Sequence, residues 1–107
     1  MSQEKEQKVR KAKRVNLRCT LGFASDEIEG DAVVTNVSTA GCRGESDVMV
    51  AEALEFHVLL HLPNQPTPVR VDRASVRWVD GNAFGLSFIL FIPSERARLR
   101  TYLEGVK

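Results

Sequence analysis

Two short motifs in this sequence combine residue types that bind anions. The first is RKAKR, from Arg10 to Arg14, which places two arginines four positions apart. The second is NVSTAG, from Asn36 to Gly41, an Asn-x-Ser-x-x-Gly pattern. A guanidinium fork donates paired hydrogen bonds to a phosphate or to the O6 and N7 atoms of guanine. The motifs therefore indicate a site for an anionic ligand.

The remaining reactive side chains do not form a catalytic set. His57 and His61 are four positions apart, a spacing that would bring two metal ligands together on a helix. On a strand the same spacing separates them by about 13 Å, and the glutamate of a zincin motif is missing between them. Ser38 lies outside a nucleophile elbow, and Gly85 lies outside a glycine-rich phosphate loop. The sequence thus predicts no catalytic residue, no metal site and no cofactor.

Charge is divided unevenly along the chain. Residues 1–18 carry seven lysines and arginines against two glutamates, whereas the rest of the chain has a net charge of −4. A basic segment beside an acidic body suits an anionic partner at the basic end. The same segment also has the composition of a solvated tail. We expect residues 1–13 to form a flexible basic arm that carries the start of the first motif, and residues 14–107 to form the folded domain.

The sequence predicts a cytoplasmic protein. Its longest apolar run, from Phe88 to Pro93, is far shorter than the roughly 20 residues that span a bilayer, so we expect no membrane insertion. The first residues lack the apolar region of a secretory signal. Cys19 and Cys42 are then expected to be reduced thiols that pack as small hydrophobic side chains.

The first half of the domain is predicted to be β-structure. Apolar and polar residues alternate from Val15 to Phe23, which is the pattern of a half-buried strand. We expect a second strand over Glu29–Val37 and a shorter third strand after Gly41. Residues 51–62 have a composition that favours a helix, but their apolar side chains alternate without interruption from position 54 onward. We therefore predict a strand there.

The second half is predicted to contain two further strands and a helix. The alternation over residues 69–78 slips by one position at Asp72–Arg73, which indicates a β-bulge. A hairpin turn at residues 80–82 then leads to a last strand over Ala83–Phe91. Pro93 opens a helix, with Ser94 expected to cap its first turn. The helix is predicted to pack an apolar stripe on a mouth or edge of the sheet (Leu99, Tyr102, Leu103 and Val106) and to turn Arg96, Arg98 and Arg100 away from it.

Short strands followed by one helix predict an all-β fold, a small antiparallel β-barrel of about six strands. Together with VRW at 76–78 and FGLSF at 84–88, the two motifs make the chain resemble the PilZ domain family from about Arg10 to Leu103. The resemblance implies a roughly six-stranded barrel with a C-terminal α-helix. It also implies that the ligand is cyclic di-GMP.

The resemblance further assigns a role to each motif residue. Arg10 and Arg14 would clamp guanine edges and phosphate. Asn36, which stands where many family members have aspartate, would accept hydrogen bonds from guanine N–H groups. The Ser38 hydroxyl would bond to phosphate or base, and Gly41 would form a turn with positive φ that leaves room for the ligand. Auxiliary contacts would come from Lys13, Arg18 and Arg43.

Three functions are compatible with these residues. The first is a cyclic di-GMP receptor that signals to an unidentified downstream protein. The second is a PilZ-like scaffold that does not bind nucleotide and acts only in protein contacts, and the joint presence of both motifs argues against it. A nucleic-acid-binding barrel ranks last, because basic and aromatic residues are not interleaved. Trp78 is predicted to lie in the core or at the barrel rim rather than to stack on a base.

Overall fold

Six β-strands and one α-helix make up the fold in this computed structural model, which describes residues 13–106. The elements are β1 (Val15–Ala24), β2 (Glu29–Val37), β3 (Gly41–Glu45), β4 (Glu55–His61), β5 (Val69–Asp80), β6 (Ala83–Leu90) and α1 (Pro93–Glu104). Apart from Lys13, the predicted arm lies outside the described residues, and its boundary stays a prediction. No helix in the described part of the chain is long and apolar enough to cross a membrane.

The strands form a closed antiparallel barrel in the order β1-β2-β3-β6-β5-β4, which confirms the predicted fold class. Closure gives every strand two partners, so the sheet exposes no unpaired edge. The pairing of β5 with β6 shifts register twice, between Arg73 and Ala74 and again between Val76 and Trp78. The first shift confirms the predicted bulge, and the second was not predicted. Bulges of this kind bend and twist a strand, which helps the sheet to close.

Alternate residues of the strands fill the barrel. In β4, Phe56, Val58 and Leu60 are buried while His57 is exposed, which confirms a strand where composition favours a helix. Full burial of one such side chain contributes about 1.5–3 kcal/mol, whereas helix propensities differ by at most about 0.7 kcal/mol per ordinary residue. The alternation therefore decides the structure. The Phe56 ring packs on Phe23, with 4.8 Å between ring centroids.

Both cysteines belong to this core, as predicted. Cys19 and Cys42 are free, buried thiols. Burial raises the pKa of Cys19 to about 11, and burial together with the nearby Cys19 raises the pKa of Cys42 to about 12. The thiols therefore stay protonated at neutral pH and act as hydrophobic side chains rather than as nucleophiles.

Helix α1 packs against the barrel through Leu99 and Leu103, which are buried. The predicted cap at Ser94 is wrong: the N-cap is Ile92, and no side chain caps the helix. Pro93 explains the difference, because its fixed φ and missing N–H suit the first helical position, so that Ser94 already lies inside the first turn. Arg98 does not face away as predicted, and its guanidinium donates to the carbonyl oxygen of Thr67 at 2.7 Å.

Candidate ligand-binding site

The segment that joins β2 to β3 is a tight turn held by Ser38. The Ser38 N–H donates to the carbonyl oxygen of Gly41 at 2.8 Å. The Ser38 hydroxyl oxygen accepts hydrogen bonds from the N–H groups of Ala40 at 3.0 Å and Gly41 at 3.2 Å. Ser38 is only 1% exposed. In this conformation the hydroxyl is used inside the turn, so Ser38 shapes the segment rather than presenting its oxygen outward.

Gly41 does not have the positive φ that was predicted for it. Among the described glycines only Gly81 has a positive φ, in the β5–β6 hairpin. Gly41 pairs with Ser87 of β6, and a Cβ atom built on it would overlap the carbonyl oxygen of Leu86. Glycine is required here because the β6 backbone approaches closely, not because the turn is left-handed.

The two sequence motifs meet at Arg14 and Asn36. The Arg14 Nη1 atom donates to the Asn36 Oδ1 atom at 2.8 Å. The contact follows from the barrel topology, since Arg14 directly precedes β1 and Asn36 pairs with Asn16, the second residue of β1. Arg10, the other arginine of the first motif, lies outside the described residues. The structure therefore places one cation of the first motif against the amide of the second, on the outer surface of the barrel.

A row of outward-facing positions extends from this contact around the barrel. Asn36 pairs with Arg43 of β3, Arg43 pairs with Gly85 of β6, and Gly85 pairs with Trp78 of β5. The Arg43 guanidinium lies over the Trp78 ring, with Cζ 5.9 Å from the ring centroid. A Cβ atom on Gly85 would overlap the Trp78 indole, so glycine lets the ring lie across β6. The result is a cation–aromatic pair beside Asn36.

Trp78 does not lie in the core, which was one of the two positions predicted for it. The residue is 37% exposed, on the outer face of the barrel near the end of β5. The cause is the second bulge of β5, between Val76 and Trp78, which reverses the in-and-out alternation that runs through Ala74 and Val76. A glycine at position 85, in a strand that is otherwise largely apolar, was the available signal for a close neighbour.

The auxiliary residues occupy different positions relative to this row. The Arg43 Nη1 atom donates to Thr35 Oγ1 at 3.3 Å and contacts Glu45 Oε2 at 3.4 Å, which orients the guanidinium. Lys13 is exposed just before β1, next to Arg14. Arg18 is exposed within β1. No hydrogen bond or ion pair found among residues 13–106 joins it to the row of Asn36, Arg43, Gly85 and Trp78.

A cleft of about 570 Å³ adjoins the Arg14–Asn36 contact. One wall is the start of β1, and the other is the last turn of α1 with the residues that follow it. The described residues that line the cleft are Lys13, Arg14, Val15, Asn16, Thr39, Arg100, Leu103, Glu104 and Val106. This cleft could not be predicted from the sequence, because it depends on how the two ends of the domain meet.

Together the fold and this surface define a small closed β-barrel domain with a cationic and aromatic outer face. The family model of the PilZ domain matches residues 8–105. The match covers most of the chain, and this chain belongs to the PilZ domain family. Comparison of the sequence with curated proteins finds no match.

Solved structures share the fold at low sequence identity. The inhibitor of motility MotI/DgrA from Bacillus subtilis has a TM-score of 0.72 and 16% identity, over 91% of this chain and 50% of that protein. The PilZ domain of YcgR from Escherichia coli, solved with c-di-GMP, has a TM-score of 0.70 and 12% identity, over 91% of this chain and 90% of that one. The PilZ domain of CeSA from a cellulose-synthesizing bacterium has a TM-score of 0.66 and 9% identity, over 87% of this chain and 96% of that one. The chain thus spans about half the length of MotI.

Proposed function

We propose that this domain is a cytoplasmic receptor for cyclic di-GMP, rather than an enzyme, and that it signals to a partner protein. The observation that carries the proposal is the hydrogen bond between Arg14 and Asn36, which brings the two motifs together on one surface. The PilZ family membership and the c-di-GMP bound to the YcgR domain support the choice of ligand.

Arg14 and Asn36 supply complementary groups for guanine. An arginine fork donates two hydrogen bonds to the O6 and N7 atoms, or to a phosphate of the dinucleotide. The Asn36 amide oxygen accepts from a guanine N–H group. In the described conformation that oxygen accepts from Arg14 instead, so ligand binding would exchange one hydrogen bond for another. Arg10 would add a second fork from the arm.

The Arg43–Trp78 pair supplies a stacking surface next to these polar groups. Guanine has an extended π-face, and stacking of a base on an aromatic side chain contributes about 1–3 kcal/mol. The guanidinium of Arg43 lies over this ring and would place a positive charge near a phosphate of the ligand. We propose that one guanine of the ligand lies against this pair while Arg14 and Asn36 bind its edges.

Ser38 and Gly41 act through the backbone. The Ser38 hydroxyl holds the N–H groups of Ala40 and Gly41, and Gly41 lets β6 approach. We propose that these two residues keep the segment after Asn36 in the shape that the ligand requires. This role differs from a direct contact, because it predicts that replacing Ser38 changes stability as well as affinity.

Calorimetric titration with cyclic di-GMP and cyclic di-AMP tests the proposal. We expect cyclic di-GMP to bind and cyclic di-AMP to bind far more weakly, because adenine has an N–H donor where guanine has O6 and would face the arginine fork with the wrong group. Equal affinity for the two ligands would contradict guanine recognition by Arg14. Binding of neither ligand would favour the scaffold function, in which the barrel serves only protein contacts.

A further inference from the structure

The cleft beside the Arg14–Asn36 contact carries a second set of groups that no sequence motif contains. Arg100 and Glu104 line its helical wall and are four positions apart on α1. Residues at this spacing lie on the same face of a helix with their side chains adjacent. Both residues are exposed, and both line the space between α1 and the start of β1.

These two side chains match the polar edges of guanine. Its O6 and N7 atoms are adjacent acceptors that suit the fork of Arg100. Its N1–H and N2–H groups are adjacent donors that suit the two oxygens of the Glu104 carboxylate. Adenine has no such pair of donors, and its N6 amino group stands in place of the O6 acceptor. A carboxylate in a cleft for a dianionic ligand is costly unless it accepts such hydrogen bonds.

The rest of the cleft suits the other parts of a nucleotide. Val15, Leu103 and Val106 give it an apolar surface on which a purine face can pack. Lys13 and Arg14 stand on the wall formed by the start of β1, where they can neutralise a phosphate. The volume of about 570 Å³ accommodates a base together with its phosphate.

We propose that this cleft is a guanine subsite, in which Arg100 and Glu104 read the two edges of one guanine of cyclic di-GMP. The inference rests on the proposed function and extends it to the C-terminal helix. Arg14 borders both the cleft and Asn36, so one ligand can place a guanine on each side of this arginine.

The test compares three charge-removing variants by calorimetry at constant ionic strength. We expect Arg100→Gln and Glu104→Gln each to weaken cyclic di-GMP binding about tenfold, the effect of losing one paired contact to a guanine edge. Arg96→Gln is the control, because Arg96 lies on α1 over the Phe91 ring and outside the cleft. It should bind like the wild type. Thermal melts would verify that all three variants fold.

The direction in which Glu104→Gln changes the affinity for cyclic di-GMP separates base recognition from general electrostatics. Removing a negative charge near a dianion should strengthen binding if the cleft acts only through charge. It weakens binding if the carboxylate accepts hydrogen bonds from guanine. Cyclic di-IMP, whose bases lack the 2-amino group, provides the matched change in the ligand. Cyclic di-IMP cannot donate the N2–H hydrogen bond to Glu104. Glu104→Gln should therefore weaken binding of cyclic di-IMP less than it weakens binding of cyclic di-GMP.

The outcomes distinguish this inference from the proposed function. If the wild type binds cyclic di-GMP but Glu104→Gln binds equally well or more tightly, the guanine subsite is wrong and the receptor function stands. The same holds if Arg96→Gln weakens binding as much as Arg100→Gln. If the wild type binds no cyclic di-GMP at all, both proposals fail.

Discussion

At the scale of single residues, Gly41 combines a place in the ligand-binding motif with a packing requirement. A Cβ atom at this position would overlap the Leu86 carbonyl oxygen, which belongs to backbone and cannot rotate away. We expect Gly41→Ala to lower the free energy of unfolding by about 1–3 kcal/mol, the usual cost of overpacking. Urea denaturation measures this change.

Gly22 offers a matched control in β1. A Cβ atom there meets only the Asp31 Oδ1 atom, at 3.5 Å, an ordinary contact distance. Gly22→Ala should therefore leave the free energy of unfolding unchanged or raise it by up to about 1 kcal/mol, since alanine loses less backbone entropy in a strand than glycine does. Equal losses for Gly41→Ala and Gly22→Ala would refute the packing explanation of Gly41.

The ring of Trp78 is partly exposed and packs across β6 at Gly85. Trp78→Ala should weaken cyclic di-GMP binding about tenfold through loss of stacking, and it should also lower the free energy of unfolding because the buried part of the ring is removed. Leu59→Ala, which removes another large exposed side chain from a different strand, should leave affinity unchanged. Normal affinity of Trp78→Ala would show that no base stacks on this ring.

Arg14 and Arg18 each complete an Arg-x-x-x-Arg pattern, and the structure favours the register that ends at Arg14. Only the Arg14 guanidinium bonds to Asn36 among the described contacts. We expect Arg14→Ala to weaken cyclic di-GMP binding at least about tenfold, and Arg18→Ala to act weakly, with little change in thermal stability for either. If calorimetry gives the reverse order, the register that ends at Arg14 is wrong.

At the scale of elements, Glu95 joins the first turn of α1 to the start of β5. Its carboxylate accepts the Arg70 N–H at 2.7 Å and two contacts from Arg98 Nη1 at 3.0 and 3.1 Å. The Arg70 bond is the main reason that the pKa of Glu95 lies below its ordinary value of 4.5; burial opposes the shift, and Arg98 adds to it. The folded state thus favours the ionised carboxylate.

This pKa shift predicts how the stability of the helix junction depends on pH. Because the pKa is depressed in the folded state, the stabilisation is complete above the ordinary glutamate pKa and is lost as pH falls through the folded-state pKa. Glu95→Gln should therefore cost about 1 kcal/mol at neutral pH and progressively less as the pH is lowered through the folded-state pKa. Thermal melts across this range measure the difference, with Glu52→Gln controlling for overall charge. A cost that persists at low pH would contradict the charged-state explanation.

Strand positions could be predicted from the sequence because they follow from burial of alternate side chains. The β4 segment is the clearest case, since its period of two outweighed a helical composition. The outward orientation of Trp78 could not be predicted, because the bulge after Val76 depends on how β5 pairs with β6. The orientation of Arg98 could not be predicted either, because its guanidinium donates to the carbonyl oxygens of Thr67 and Pro68, which are distant in sequence.

The site residues were predictable only where they form local motifs. Asn36 and Arg14 stand in such motifs, and the structure brings them together. Arg100 and Glu104 are far along the chain from both motifs, and they reach the cleft only because α1 packs beside the start of β1. Their side chains are ordinary for an exposed helix surface, so no sequence signal marks them.

At the scale of the whole molecule, the two ends of the domain meet at the cleft while the barrel closes on itself. Lys13 and Arg14 form part of one wall, and Arg100 and Glu104 form part of the other. Every strand of the barrel is paired on both sides, so the ladder resists local opening. A ligand in this region should therefore change the dynamics of the chain ends and leave the barrel strands nearly unchanged.

Hydrogen exchange with and without cyclic di-GMP tests this division. We expect slower exchange at residues 8–16, 36–41 and 100–106, because the ligand would bridge the arm, the β2–β3 segment and the end of α1. Ordering a flexible arm would cost about 1 kcal/mol per residue in backbone entropy, which hydrogen bonds from arginine to guanine and phosphate would have to exceed. Residues 25–28 and 57–61, at another part of the barrel, are the internal control and should exchange at the same rate in both states.

Slowing spread evenly over all strands would indicate a general stabilisation by binding. Protection of residues 36–41 alone would show that the ligand is bound without the arm or the helix, so that neither chain end could report its presence to a partner.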